Sequence, residues 1–190
     1  TAARAGRVRF SSSMTVRALL RMGEPLLRQV AQPVMDCQAP HLVELVADLQ
    51  DPMAAHSGAG LAAPQIGASL RVVIFGGGGP NPRYPDAPPL PFTVLINPEL
   101  TPLGEERTLG WEGCLSVPGL RGEVERWQRI RLTWRDSNGC SHQEELEGFH
   151  ARVVQHECDH LEGKLFVDYL SGLKRNRIRK KLIKQQKLNG

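Results

Sequence analysis

Apolar positions between Pro40 and His56 recur at helical spacing, with Leu42, Leu45, Val46 and Leu49 on one face, and predict an amphipathic helix. The period then shortens. Leu70 to Phe75 is a β-branched run that predicts a buried strand, and Phe92 to Ile96 predicts another, stopped by Asn97-Pro98. Between them, the 16 residues from Gly76 to Pro91 hold four glycines and six prolines and predict a loop. Glu123 to Trp134 and Ser141 to Leu146 predict strands joined by a turn at Ser137-Asn138-Gly139. Helical spacing returns with Phe149, Val153, Val154 and Leu161, predicting a helix over Phe149 to Leu161 that Gly163 stops. A last helix is predicted over Ser171 to Leu188, with Leu173, Ile178, Leu182 and Ile183 apolar, and a short helical turn at Glu24 to Arg28. The pattern is a coarse α+β layout with a C-terminal helix. No internal repeat interrupts it.

Composition narrows the class. A chain of 190 residues with 41% hydrophobic content suffices for one core without disulfides. Cys37, Cys114, Cys140 and Cys158 are irregularly spaced and no segment resembles an apolar signal sequence, so a reducing, intracellular setting is expected. No apolar run approaches the roughly 20 residues that span a bilayer, so no membrane partner is expected. The net charge of +4 is unevenly spread. Residues 174–190 hold eight basic side chains and no acid, and residues 1–13 hold three more. The remaining 13 basic side chains face all 20 acidic ones, so the body of the chain is acidic and the pI of about 9.1 belongs to its ends.

Reactive chemistry concentrates in His156-Glu157-Cys158-Asp159-His160. Positions i and i+4 share a helix face, so both imidazoles can reach one divalent ion while Glu157 reaches a water beside it. A hydrolytic centre needs a third protein ligand and one open position. The best candidate for that ligand is Cys114, in Glu112-Gly113-Cys114-Leu115-Ser116, expected in a turn. A third stretch, Gly58-Ala59-Gly60-Leu61-Ala62-Ala63-Pro64-Gln65, has small residues that let another chain approach the backbone.

These three segments, in this order, resemble the three motifs of the peptide deformylases, with Gln155 opening the last. The resemblance runs from about Met14 to about Leu173. It implies the α+β deformylase fold, mixed or antiparallel strands around a central metal-binding helix with a C-terminal helix, and removal of the formyl group from the N-terminal formylmethionine of newly made polypeptides. It further implies metal ligation by Cys114, His156 and His160, with Glu157 as general base. Gln65 and the backbone N–H of Leu115 would be the donors to the oxyanion. Substrate would lie as an added strand beside Ala59, Gly60 and Gly113, with Ala59, Phe149 and Val153 forming the methionine pocket. Arg152 would line that pocket with its stem while its charge reaches solvent, and Asp159 would orient local structure. Ferrous iron is the implied metal in the cell, although the donor set also suits zinc, nickel or cobalt.

The expected organisation is a disordered or non-native extension over residues 1–13, a catalytic domain over 14–173, and a basic C-terminal helix over 174–190. That helix resembles the ribosome-contacting one of bacterial members, the plainer reading being a solvated face. Bacterial cytoplasm is the expected location, with the mitochondrial matrix as alternative. Two other functions compete: a zinc endopeptidase, which shares His-Glu-x-x-His but takes its third ligand downstream, and a non-catalytic ribosome-binding protein with a closed structural metal site. The plainer readings are a buried structural Gln65, a helix-capping Ser116, a packing Cys158, and surface or core roles for His41, His56, His142 and His150.

Overall fold

The computed structural model describes residues 17–189, so the expectation for residues 1–13 lies outside the described residues. In chain order the elements are α1 (Pro40–Ala55), β1 (Gly60–Ala62), β2 (Val72–Phe75), β3 (Thr93–Pro102), β4 (Arg107–Cys114), β5 (Val117–Trp127), β6 (Arg129–Arg135), β7 (Ser141–Glu147), α2 (Gly148–Leu161) and α3 (Gly172–Leu188). Five antiparallel strands form one sheet in the order β1-β2-β3-β6-β7, and β4 and β5 form a separate hairpin. The α+β expectation holds, with the strands antiparallel throughout.

β2 shows why the sheet needs cover on both faces. All four of its residues are buried: Val73 and Phe75 pack with Ala151, Val154 and Leu161 of α2, whereas Val72 and Ile74 pack with Leu42, Leu45 and Leu49 of α1. The sheet therefore lies between α1 and α2. A third cluster joins the hairpin to the C-terminus, with Val117 and Val124 against Phe166, Leu170, and Ile178 and Leu182 of α3. Of the four apolar positions on this helix, Leu173 and Ile183 are exposed. The buried stripe of α3 is thus narrow, and its basic side chains surround it.

Three predicted boundaries move, each for a physical reason. Asn97-Pro98 does not end β3 but bulges it, because Asn97 takes a φ of +50° and its side-chain amide bonds both main-chain groups of Val34 at 2.8 Å. Glu123–Trp134 is not one strand: the chain leaves the hairpin after Trp127 and joins the large sheet at Arg129. β4 went unpredicted because Gly110, Gly113 and alternate exposed residues blunt its pattern, so Cys114 sits at a strand end rather than within a turn. By contrast, α2 ends before Gly163, whose φ of +70° and close approach to the Arg28 carbonyl leave no room for a Cβ.

Candidate metal centre and active site

The crossing of α2 with the β4–β5 hairpin decides what meets. His156 and His160 occupy one face of α2 with ring centres 5.2 Å apart, and Cys114 at the end of β4 brings its Sγ to 3.4 Å from His160 Nε2. Ligand atoms of Cys114, His156 and His160 all lie within 4.8 Å of one another, and all three residues are buried. Among the described residues no fourth protein donor joins them. One thiolate with two imidazoles is a donor set suited to a borderline-soft divalent metal.

The surroundings fit that reading. His156 bonds Glu112 Oε1 through Nδ1 at 2.8 Å, which fixes the ring and leaves Nε2 for the centre. Glu157 Oε1 lies 4.0 Å from that Nε2, and its Oε2 is buried with no protein hydrogen-bond partner. A buried carboxylate oxygen needs a donor, and a water at an open coordination position would supply one. Burial pushes the Glu157 carboxyl up to about 7. Burial opposes charge on His156, but hydrogen bonds with Cys114 and Glu112 outweigh it and hold His156 well above the usual imidazole range. Burial and the neighbouring His156 pull His160 well below that range. His160 Nδ1 is likewise buried without a partner.

Gln65 is delivered by a short 3-10 turn, Ala63–Ile66, that follows β1. Its Oε1 accepts the Ala62 N–H at 2.9 Å, so its Nε2 must point the other way, donating to Ser116 Oγ at 3.0 Å beside Cys114 Sγ at 3.4 Å. Ser116 therefore orients Gln65 rather than capping a helix. Ala59, Gly60, Gly113, Leu115 and Val153 line the cleft with His156 and Glu157. Phe149 lies outside that cleft, in an adjoining cavity that shares Ala59 with it.

A charged network lies behind the Cys114–His156–His160 cluster, and no local pattern in the sequence marks it as a whole. Glu112, 1% exposed, takes Arg126 bidentately at 2.9 Å from both nitrogens, Arg152 Nη1 at 2.7 Å, and His156. Burial would raise its carboxyl, yet the Arg126 and His156 bonds prevail and hold it far below the usual carboxylate range. Arg126 continues to Asp159 at 2.6 Å, which also accepts from Tyr169 Oη at 2.8 Å. Arg152 lines the cleft as expected, but its guanidinium turns into the protein rather than to solvent, donating also to the carbonyls of Val124 and Thr108 at 2.8 and 2.6 Å. The available signal was Arg126 itself, a charge two residues beyond Val124 on the inward phase of β5. Cys158 packs with the sheet-facing core, and burial raises its thiol far above the usual range. His142 pairs with Asp136, and His150 packs edge-on against Phe75.

The polypeptide deformylase family model matches residues 16–176. The chain belongs to that family. It is 60% identical to peptide deformylase 1 of Prochlorococcus marinus over 157 residues, 83% of this chain and 82% of that protein. Among solved structures, a peptide deformylase from Legionella pneumophila superposes with a TM-score of 0.79 at 38% identity, covering 91% of this chain and 96% of the other. A Met-Ala-Ser-bound class I type b peptide deformylase from Acinetobacter baumannii gives a TM-score of 0.76 at 41% identity, with 80% and 97% covered. The chain is accordingly a hydrolase of the peptide deformylase class, acting on a linear amide. Among the described residues no helix is long and apolar enough to cross a membrane.

Proposed function

We propose that the chain releases formate from the N-terminal formylmethionine of nascent polypeptides at the Cys114–His156–His160 centre, with Glu157 as general base. The observation that carries this reading is the convergence of three ligand atoms within 4.8 Å beside a buried, unpartnered carboxylate oxygen. Cys114 Sγ and the Nε2 atoms of His156 and His160 would hold one divalent ion. When bound, such an ion supplies Lewis acidity that brings a water's pKa towards neutrality.

Each remaining step belongs to the chain. Glu157 takes the proton of the attacking water and returns it to the departing amine, a task suited to a carboxylate 4.0 Å from His156 Nε2. Gln65 Nε2, aimed by the Ala62 and Ser116 bonds, and the Leu115 N–H donate to the oxygen that gains charge as the formyl carbon becomes tetrahedral. Losing one such donor costs about 2.7–4 kcal/mol of barrier lowering. Main-chain groups of Ala59, Gly60 and Gly113 hold the peptide as an added strand, while Ala59, Val153 and Phe149 offer apolar surface to methionine. The Met-Ala-Ser bound by the Acinetobacter baumannii relative supports a peptide of that kind.

The upstream thiolate ligand favours this reading over a zinc endopeptidase, and a three-donor cluster favours it over a closed structural site. Ferrous iron is the proposed metal in a bacterial cytoplasm. Activity should then decay in air and survive replacement by nickel or cobalt, whereas full, oxygen-stable activity with zinc would reject iron. Residues 14–173 would form the catalytic domain, with the basic stretch 174–190 contacting ribosomal RNA.

The deciding experiment measures formate release from formyl-Met-Ala-Ser by wild type and Glu157→Gln, with metal content determined on the same samples. Release that is lost in a metal-bearing variant supports both reaction and base. No release from freshly metallated wild type under anaerobic conditions would overturn the proposal.

A further inference from the structure

The proline-rich segment 76–91 has no part in the chemistry above, yet it is fastened across the mouth of the cleft. Asn81 Nδ2 donates to Ser57 O at 2.9 Å and Arg83 Nη2 to His56 O at 3.3 Å, tying the segment to the end of α1. Arg121 Nη2 donates to Arg83 O at 2.7 Å, tying it to β5. Between these fastenings Tyr84 rests against Phe149 of α2 with ring centres 4.9 Å apart, and the Gly113 N–H donates to Tyr84 Oη at 3.2 Å.

That last bond falls where a peptide must go. Gly113 immediately precedes Cys114, and an extended peptide beside this end of β4 would pair with Gly113 main-chain groups. A backbone N–H has one proton to donate, so Tyr84 Oη and a peptide carbonyl compete for it.

Tyr84 is also a partition. The cleft against the metal ligands holds about 20 Å³ and is walled by Tyr84, Leu115 and Val153. Behind the ring lies a cavity of about 220 Å³ walled by Tyr84, Pro85, Leu90 and Phe149. Gly58 and Ala59 line both. The first has room for about one water and the second for an amino-acid side chain.

We propose that Tyr84 is a specificity-determining residue displaced by substrate: the carbonyl of a residue after methionine takes over the Gly113 N–H, and the released ring joins the small cleft to the apolar cavity. This rests on the deformylase reading and adds a requirement for peptide length. A substrate that extends past methionine recovers the hydrogen bond it breaks. Formyl-methionine has no such carbonyl and leaves Tyr84 bonded to Gly113.

The test compares the metal-loaded full chain with its Tyr84→Phe variant, which removes one oxygen and keeps the ring against Phe149. Tyr84→Phe should lower KM for formyl-Met-Ala-Ser roughly 2- to 10-fold, the range of one ordinary hydrogen bond, and leave KM for formyl-methionine in place. Kd for Met-Ala-Ser, measured by calorimetry, should fall by a similar factor. An unchanged or higher KM for the tripeptide, or an equal fall for both substrates, would overturn the proposal. Absence of formate release from wild type would instead strike at the reaction, while Met-Ala-Ser affinity would still report on Tyr84.

Discussion

Gly60 and Glu157 are in contact through the space a side chain at residue 60 would fill: a Cβ there would lie 2.9 Å from both Glu157 Cγ and Oε1. The approach places β1 directly against the carboxylate of α2, so the second glycine of Gly-x-Gly sets the position of the proposed general base. Gly60→Ala should push Glu157 out of place while leaving the ligands in position. General acid–base catalysis contributes about 10²–10⁴-fold, so kcat for formate release should fall roughly 100-fold with metal content retained. A variant with wild-type kcat would show that the carboxylate has slack the structure does not suggest.

Glu112 neutralises Arg126 and Arg152 while orienting His156, so one substitution should move stability and metal affinity together. Glu112→Gln keeps the shape but leaves Arg152 without its carboxylate and Arg126 with Asp159 alone. Removing one partner of a buried pair costs about 3–5 kcal/mol, which for a chain of this size lowers Tm by about 10 °C. Loss of the carboxylate behind a metal-ligating histidine should also weaken metal binding about 10- to 100-fold. Calorimetry and metal competition on the same variant check both, and a change in only one would separate the two roles of Glu112.

The Cys114–His156–His160 cluster was legible because α2 writes its geometry into the spacing of His156 and His160, and because an ordered set of motifs marked Cys114. The network behind them was not, since it joins residues from β4, β5 and α2 that no local period relates. Periodicity reports which face of an element is buried, not which element covers it. For that reason the pattern leaves the Arg152 charge in solvent, although its partners are Glu112 and the hairpin carbonyls. Tyr84 was hidden for a different cause: a glycine- and proline-rich segment has no period at all, and its path follows from scattered bonds to Ser57, His56 and Arg121.

Asp168 ties the segment after α2 to Arg28 near the start of the described chain, accepting from Arg28 Nη1 at 2.6 Å and from the Leu165 N–H at 3.0 Å. Burial would raise its carboxyl, but the Arg28 hydrogen bond, aided by the Leu165 N–H, lowers it below the ordinary aspartate value. A carboxyl depressed in the folded state stabilises the fold above its unfolded pKa and loses that contribution as pH falls through the folded value. Wild type should therefore lose stability relative to Asp168→Asn as pH drops from about 5 towards 3. The ion pair is partly exposed, so the difference should stay within about 1 kcal/mol. Urea unfolding of both proteins across that range measures it, and parallel pH curves would refute the assignment.

Helix α3 separates packing from charge along its own length. Ile178 and Leu182 are buried against the hairpin cluster, whereas Lys180, Lys181 and Lys184 are exposed around them. Ile178→Ala should cost about 2 kcal/mol or more in stability, because it empties a packed position. Changing the three lysines to glutamine should cost no more than about 0.5 kcal/mol and leave formate release from free peptides intact. If the basic face contacts ribosomal RNA, the lysine variant should bind ribosomes more weakly and with a shallower dependence on salt, since fewer counterions are released on binding. Cosedimentation with ribosomes from low to moderate salt reads both quantities. Equal binding by wild type and the lysine variant at every salt concentration would assign the charge to solvation alone, and the buried pair would then be the helix's contribution to this chain.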